Sequence, residues 1–182
     1  MRLSSATPLL VIGVLGASLG LGCAPASGET EDTGDTFLAF ASSFKGYRSW
    51  EAFEVPAGSG DGTVHTLGAR TEHLNKRPAD GSTEFPVGTI IVKETTSEAL
   101  ADRKVFAMVK RGGGYNAEGA AGWEWFELQN VTEQEVLIVW RGVGPPAGEM
   151  YGGDPAAGCN GCHVGAKAND FVLSTKITLE DL

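Results

Sequence analysis

Two cysteines and a histidine near the end of the chain carry the most specific chemical signal in the sequence. Cys159, Cys162 and His163 form the pattern C-x-x-C-H, a signature of covalent haem attachment. Two thiols three residues apart can reach the two vinyl groups of one porphyrin, and the histidine that follows can give an imidazole nitrogen to the iron. The motif predicts one covalent haem c per chain, attached through both cysteines, with His163 as axial iron ligand.

Two other kinds of site also use paired cysteines. A thioredoxin-like redox pair would need a βαβ setting, whereas this motif follows a glycine- and proline-rich stretch near the end of the chain. A zinc site would need further ligands, for which His65 and His73 are the candidates. We favour haem over both alternatives.

The sixth coordination position of such an iron decides what the protein does. A methionine there makes an electron carrier, whereas an open position lets a small molecule bind. Candidate ligands are Met108, Met150, His65 and His73. The apolar segment around Met108 favours a core position, and Met150, in the glycine-rich loop, is the best candidate of the four. The sequence leaves both functions open.

The start of the chain predicts export. A short basic beginning precedes an apolar segment, Leu9 to Leu21, which is shorter than the roughly 18 residues of a membrane span. We interpret residues 1–22 as a signal peptide. Because Cys23 directly follows small residues, we expect it to be lipidated, which predicts a periplasmic, lipid-anchored protein. The alternative is an ordinary signal peptide whose cleavage discards Cys23.

Composition separates a tether from one folded domain. Residues 23–35 are small, polar and acidic, so they cannot bury apolar surface and are expected to form a flexible tether. Residues 36–182 are long enough for a single domain with its own core. The net charge of −9 excludes nucleic acid as a partner on electrostatic grounds.

Helical periodicity is confined to the beginning of this domain. Four aromatic residues recur at intervals of three and four: Phe37, Phe40, Phe44 and Tyr47. Thr36 is the expected N-cap, and Gly46 favours two short helices over one. A further short helix is expected around the cysteine motif, within residues 155–167.

The sequence of the middle of the chain predicts β-strands. β-branched and aromatic residues are concentrated in short segments separated by turn residues. The predicted strands are 64–74, 88–96, 104–110, 123–128, 136–140 and 171–177. The expected class is α+β, with an antiparallel β-sheet core, flanking helices and the C-x-x-C-H segment near the C-terminus. An all-helical c-type cytochrome is the alternative, which the β-branched middle disfavours.

Several segments occur in the order found in one known family. They are Tyr47-Arg48-Ser49-Trp50, Arg70-Thr71-Glu72-His73-Leu74-Asn75, Gly88-Thr89-Ile90-Ile91-Val92-Lys93-Glu94, Gly122-Trp123-Glu124-Trp125-Phe126, and the C-x-x-C-H motif with Asn169-Asp170-Phe171-Val172. Together these segments resemble the cytochrome P-460 and cytochrome c′-beta family of periplasmic mono-haem proteins. The resemblance implies a β-rich fold and, usually, a homodimer.

The resemblance also assigns roles to two basic residues. Lys93 matches the lysine that is crosslinked to the haem edge in hydroxylamine-oxidising members. Arg70 matches an arginine that lines the distal pocket, and both are expected to act in catalysis. From its position alone, we would favour Lys93 as the solvated end of a strand, whereas Arg70 could equally form a surface ion pair. Either Phe106 or Phe126 could supply a distal phenylalanine.

The resemblance implies a five-coordinate haem that oxidises hydroxylamine or binds nitric oxide. The expected partners are a small nitrogen-containing ligand and a redox partner protein. The sequence leaves open whether the protein is an enzyme; if it is, it is a haem oxidoreductase acting on hydroxylamine or a related nitrogen species. An electron-transfer cytochrome with a filled sixth position is the alternative.

Overall fold

The computed structural model describes residues 35–58, 68–148 and 158–182. These residues belong to one compact unit, Asp32–Leu182. The predicted signal peptide, Cys23 and nearly all of the tether lie outside the described residues, as do His65 and Met150. No helix within the described ranges is long and apolar enough to cross a membrane.

Six strands form one antiparallel sheet whose spatial order follows the chain. They are β1 (Glu51–Val55), β2 (Arg70–Leu74), β3 (Ile90–Thr95), β4 (Val105–Lys110), β5 (Trp123–Asn130) and β6 (Val136–Gly142). Each strand pairs with the next one along the chain, so β1 and β6 form the edges. The predicted antiparallel sheet is confirmed, and β1 is a strand that the sequence analysis did not predict.

The helices are short and lie mainly at the two ends of the domain. Within the described residues, the 3₁₀ helices are Ala41–Phe44, Tyr47–Ser49, Leu100–Asp102 and Val164–Asn169, and one α-helix, α1, spans Cys159–His163. Gly46 separates the first two with a φ of +68°, as expected for two short helices. The predicted N-cap is wrong, because Phe40 precedes the first helix and Thr36 instead forms a β-bridge with Gly112.

The predicted strand at residues 171–177 is also wrong. Asp170 and Phe171 both adopt positive φ, 48° and 62°, which turns the chain and prevents an extended start. The segment that follows forms turns and irregular structure, and it buries Val172 and Ile177 against the sheet.

Strand alternation gives the sheet two apolar faces, each with its own core. We call one the Tyr47 face; its buried residues are Ala39, Phe44, Tyr47, Ile90, Val92, Val105, Ala107, Val109, Phe126, Leu128 and Val136. We call the other the Trp125 face; its buried residues are Leu74, Phe85, Ile91, Met108, Ala120, Trp123, Trp125, Phe171, Val172 and Ile177. The C-terminal segment, including α1, packs on the Trp125 face.

An irregular pairing between β5 and β6 changes which face β6 serves. Glu127 is paired with Trp140, whereas the next residue, Leu128, is paired with Ile138. The extra residue, Val139, is a β-bulge. As a result Ile138 packs on the Tyr47 face and Trp140 packs on the Trp125 face.

Candidate functional site

Helix α1 is fixed to β5 through the first variable residue of the cysteine motif. Asn160 is only 5% exposed, and its Oδ1 accepts hydrogen bonds from the Trp125 indole nitrogen at 3.0 Å and the Ala120 amide at 3.2 Å. The side-chain amides of Asn160 and Asn116 also bond reciprocally, at 2.8 and 2.9 Å. These bonds hold the motif against the Trp125 face.

The role of Asn160 was missed by the sequence analysis, which treated it as a variable position. One neighbouring residue carries a signal that could have pointed to it. A Cβ on Gly119 would lie 2.3 Å from Asn160 Nδ2, so this position cannot hold a larger residue without displacing the amide. A glycine among many glycines is not diagnostic by itself, which explains the omission.

His163 presents a defined ring nitrogen. Its Nδ1 lies 2.7 Å from the carbonyl oxygen of Phe171, and its ring centroid lies 4.4 Å from that of Trp125. Because a carbonyl can only accept a hydrogen bond, Nδ1 carries the proton, which places the lone pair of the neutral ring on Nε2. Metal-ligating histidines characteristically donate the other ring N–H in this way. The side chain therefore fits an axial iron ligand.

The carbonyl that meets His163 lies in an unusual backbone turn. Asp170 and Phe171 are consecutive non-glycine residues with positive φ, which is rare for a bulky aromatic residue. The Asp170 carboxylate lies 2.6 and 2.8 Å from Lys110 Nζ on β4, and it accepts a bond from the Phe85 amide at 2.9 Å. The turn is therefore anchored to the sheet by a buried ion pair.

The two cysteines differ in exposure. Both thiols are free in the structure; Cys159 is half-buried and Cys162 is exposed. Burial raises the pKa of the Cys159 thiol to about 11, and the positive charge of Lys93 opposes this rise. The charge of Lys93 is therefore close enough to the cysteine motif to affect the pKa of the Cys159 thiol.

One row of side chains crosses the Trp125 face beside this segment. In register across β2 to β5, Glu72 pairs with Lys93, Lys93 with Phe106, and Phe106 with Glu127. Directly opposite residues on one face have Cβ atoms roughly 5 Å apart. Glu127 also accepts a bond from the Trp140 indole nitrogen at 2.6 Å. The sheet therefore supplies a lysine, a phenylalanine and two carboxylates to one strip of surface.

Arg70 is buried. The alternative expectation, that Arg70 forms an ion pair on the surface, is therefore wrong. Its Nε donates to Glu72 Oε1 at 3.0 Å, and the two side chains are 0% and 4% exposed. The other carboxylate oxygen of Glu72 accepts a bond from the Ser174 hydroxyl. Arg70 thus belongs to a charged network that joins β2 to the C-terminal segment next to Lys93.

Two other candidate site residues lie on the face of the sheet opposite to the cysteine motif. Phe126 and His73 lie on the Tyr47 face, where Phe126 packs against Phe44 and His73 packs against Tyr47 with ring centroids 5.2 Å apart. His73 therefore cannot complete a zinc site with the cysteines or ligate an iron bound by His163. The described residues contain no group of three or more histidine, cysteine, aspartate or glutamate side chains that could hold a metal.

In a comparison with known protein families, the family described as Cytochrome P460 matches residues 44–174 of the 182-residue chain. The chain belongs to the cytochrome P460 family. It is therefore a cytochrome, and the family implies haem iron as its cofactor. The matched range contains Arg70, Lys93 and the whole C-x-x-C-H motif.

The family assignment agrees with the local chemistry. In this member of the family, the imidazole of His163 is hydrogen-bonded through Nδ1 to the Phe171 carbonyl, and the two free thiols belong to the same short segment. No curated protein and no solved structure matches the chain.

Proposed function

We propose that the protein is a periplasmic mono-haem c-type cytochrome that handles small nitrogen compounds, through hydroxylamine oxidation or nitric oxide binding. The observation that carries this proposal is the hydrogen bond of His163 Nδ1 to the Phe171 carbonyl, 2.7 Å long, beside the row that contains Lys93 and Phe106. A bound haem would supply an iron that coordinates the small molecule and exchanges electrons with it.

The attachment segment would hold the haem. Cys159 and Cys162 would form the two thioethers, and His163 would provide the axial nitrogen. Asn160 fixes the segment on β5 independently of these three residues, because its amide is bonded to Trp125 and Asn116. This arrangement supports a rigid proximal side.

The row on the Trp125 face would form the reactive side of the pocket. Lys93 would meet the haem edge, as the family resemblance implies, and Phe106 would restrict the space next to it. Arg70 would be held at the edge of this pocket by its ion pair with Glu72. A buried ion pair keeps a fixed geometry, so its contribution would be to orient polar groups near the substrate.

An electron-transfer cytochrome with a filled sixth position is the second candidate. It is favoured by the position of Met108, a buried residue of the Trp125 face whose register partner on β3 is Ile91, two residues from Lys93. A methionine ligand would close the iron to small molecules and raise its potential.

We propose export to the periplasm with a lipid anchor on Cys23, and a redox partner protein that exchanges electrons with the haem. A homodimer is also proposed. It is supported by edge strand β6, where Leu137 and Val139 are 57% and 54% exposed. Exposed apolar residues on an unpaired edge are typical of surfaces that associate.

The optical spectrum of the matured protein tests these proposals. A lysine crosslink predicts a red-shifted ferrous band, and a gas binder predicts high-spin ferrous haem that binds nitric oxide without oxidising hydroxylamine. A low-spin six-coordinate spectrum would favour the electron carrier instead.

Mass spectrometry of the Cys162→Ser variant should show haem held by one thioether or lost; two intact thioethers would contradict the assigned attachment.

A further inference from the structure

We propose that Lys110 and Asp170 are positioning residues for the axial histidine, because their ion pair holds the Phe171 carbonyl where His163 Nδ1 must meet it. This inference rests on the proposed haem ligation by His163. It adds two residues, from β4 and from the C-terminal turn, that neither the motif nor its spacing indicates.

The carbonyl is presented by a backbone conformation that the local sequence does not favour. Asp170 has φ 48° and ψ 46°, and Phe171 has φ 62°. Aspartate visits this left-handed region occasionally, but a phenylalanine there is an outlier that persists only when its surroundings impose it. A relaxed turn would rotate the Phe171 peptide and move its oxygen away from the imidazole.

The ion pair is the contact that imposes this conformation. Both Asp170 oxygens lie within hydrogen-bonding distance of Lys110 Nζ, and the side chains of Lys110 and Asp170 are 7% and 3% exposed. The lysine also lies 5.3 Å from the centroid of the Trp123 ring. A charged pair this well buried has one preferred geometry. Because β4 is a central strand of the sheet, it cannot shift to allow a different geometry of the pair.

Two local bonds complete the turn but do not explain its anchoring. The Phe171 amide donates to the Ala166 carbonyl at 2.9 Å, and the Val172 amide donates to the Asn169 carbonyl at 3.0 Å. Both partners lie in the same C-terminal segment, so these bonds shape the turn without fixing it to the sheet. The contacts of Asp170 with Lys110 and with the Phe85 amide join the turn to distant parts of the chain.

The position of this carbonyl matters for iron chemistry. A hydrogen bond donated by the outer nitrogen raises the electron donation of an imidazole toward its metal. If the Phe171 carbonyl moved away from Nδ1, the bond from His163 to a bound iron would weaken and the ferric state would lose stabilisation. Lys110 and Asp170 would therefore influence the reduction potential of the haem without contacting the haem directly.

The test compares the matured wild-type protein with the double variant Lys110→Met/Asp170→Asn. Methionine preserves much of the packing of the lysine stem, and asparagine tolerates positive φ and can still accept the Phe85 bond. Because both charges are removed together, no buried charge is left unpaired. Arg141→Met/Glu124→Gln is the control on the opposite, Tyr47 face, where these side chains form an ion pair 2.7 Å long; the change also removes the 3.3 Å contact of Glu124 with Arg111.

The readouts are the iron–histidine stretching frequency of the ferrous protein and its reduction potential. We expect the Lys110/Asp170 variant to retain attached haem, with a lower stretching frequency and a higher potential, and the control to change neither. The single variant Lys110→Arg, which keeps Asp170 and the positive charge, should leave both close to the wild-type values. Unchanged frequency and potential in the double variant would overturn the proposal.

A second measurement separates this inference from the proposed function. Nitrogen NMR of the haem-free full-length chain reports which ring nitrogen of His163 is protonated. We expect the Nδ1-protonated form to dominate in wild type and to lose that dominance in the double variant; equal dominance in both would also overturn the proposal. A wild-type protein that matures without haem would refute the proposed function, while this tautomer measurement would still decide the role of Lys110 and Asp170.

Discussion

Lys93 on β3 and Phe106 on β4 are direct register partners, and both lie on the Trp125 face of the sheet. Lys93 is two residues from Ile91, and Phe106 is two residues from Met108, so strand alternation places each pair on the same face. Ile91 and Met108 are buried in the core of that face. Two residues that the sequence analysis considered separately are therefore adjacent, next to the cysteine motif.

Replacing Lys93 tests the crosslink. Lys93→Leu should abolish any red-shifted ferrous absorption and hydroxylamine oxidation, because the amine that would bond to the haem edge is gone, while haem stays attached. Optical spectra and steady-state rates measure both effects. Lys104→Leu, at an exposed position before β4, is the control and should behave as wild type. An unaltered spectrum and rate in the Lys93 variant would show that this lysine is not crosslinked.

The two candidate distal phenylalanines should respond differently. Phe106→Ala should change the rate of nitric oxide binding, measured by stopped-flow absorption, because it opens space beside Lys93. Phe126→Ala should instead lower the free energy of unfolding by about 3–5 kcal/mol, since Phe126 is 1% exposed in the Tyr47 core. A binding rate altered only by the Phe126 change would reverse this assignment.

Loss of the Asn160 amide should loosen the attachment segment. Asn160→Ala leaves the buried Trp125 indole N–H without its acceptor, and an orphaned buried donor costs roughly 1–3 kcal/mol. Denaturant unfolding should show this loss, and proteolysis should cut near α1 more readily. Lys167→Ala, an exposed position in the helix that follows, should have no effect. Equal stability of the Asn160 and Lys167 variants would refute the anchoring role.

The Arg70 and Glu72 pair should be strongly coupled. Arg70→Met leaves a buried carboxylate unpaired and should cost about 3–5 kcal/mol of unfolding free energy. Arg70→Met/Glu72→Gln should cost less, because glutamine is neutral and can still accept the Ser174 hydroxyl bond. A double-mutant cycle from denaturant unfolding measures the coupling. Additive single effects would mean that the two charges act independently.

His73 should make stability depend on pH. Burial lowers its pKa below the ordinary value of 6.5, so around that pH the unfolded chain binds a proton that the folded protein does not. Unfolding free energy should therefore fall as the pH decreases from 7.5 to 5.5. Denaturant titrations of wild type and His73→Leu should show a shallower fall in the variant. Identical slopes would exclude His73 as the source.

The sequence located the central strands well because their β-branched segments are long and bounded by turn residues. The predicted segments 88–96 and 104–110 contain β3 and β4 almost unchanged. In contrast, β1 was missed because Trp50 and Phe53 follow Tyr47 at intervals of three and so continue the aromatic spacing of the preceding helices. In β5 only part of the alternation is visible, because Glu124 is buried on an apolar face by its ion pair with Arg141.

The cysteine motif of the candidate site could be predicted from the sequence, whereas the contacts that hold it in place could not. The C-x-x-C-H spacing is a local pattern and identifies its own chemistry. The contacts that support it are not local: Lys110 and Asp170 are separated by 60 residues, and Asn116 and Asn160 by 44. Their pairing depends on how the C-terminal segment folds back over the sheet, which no periodicity encodes.

The two-residue alternation of the strands also limits how this protein can change in evolution. A single-residue insertion within β3 would turn Lys93 toward the Tyr47 face and bring its neighbours to the site, since a shift of one residue exchanges the faces of a strand. Insertions between strands carry no such penalty. Relatives should therefore differ in length in connections that contribute no contact to the site, such as the mostly exposed residues 96–104, while the spacing within each strand is inherited intact.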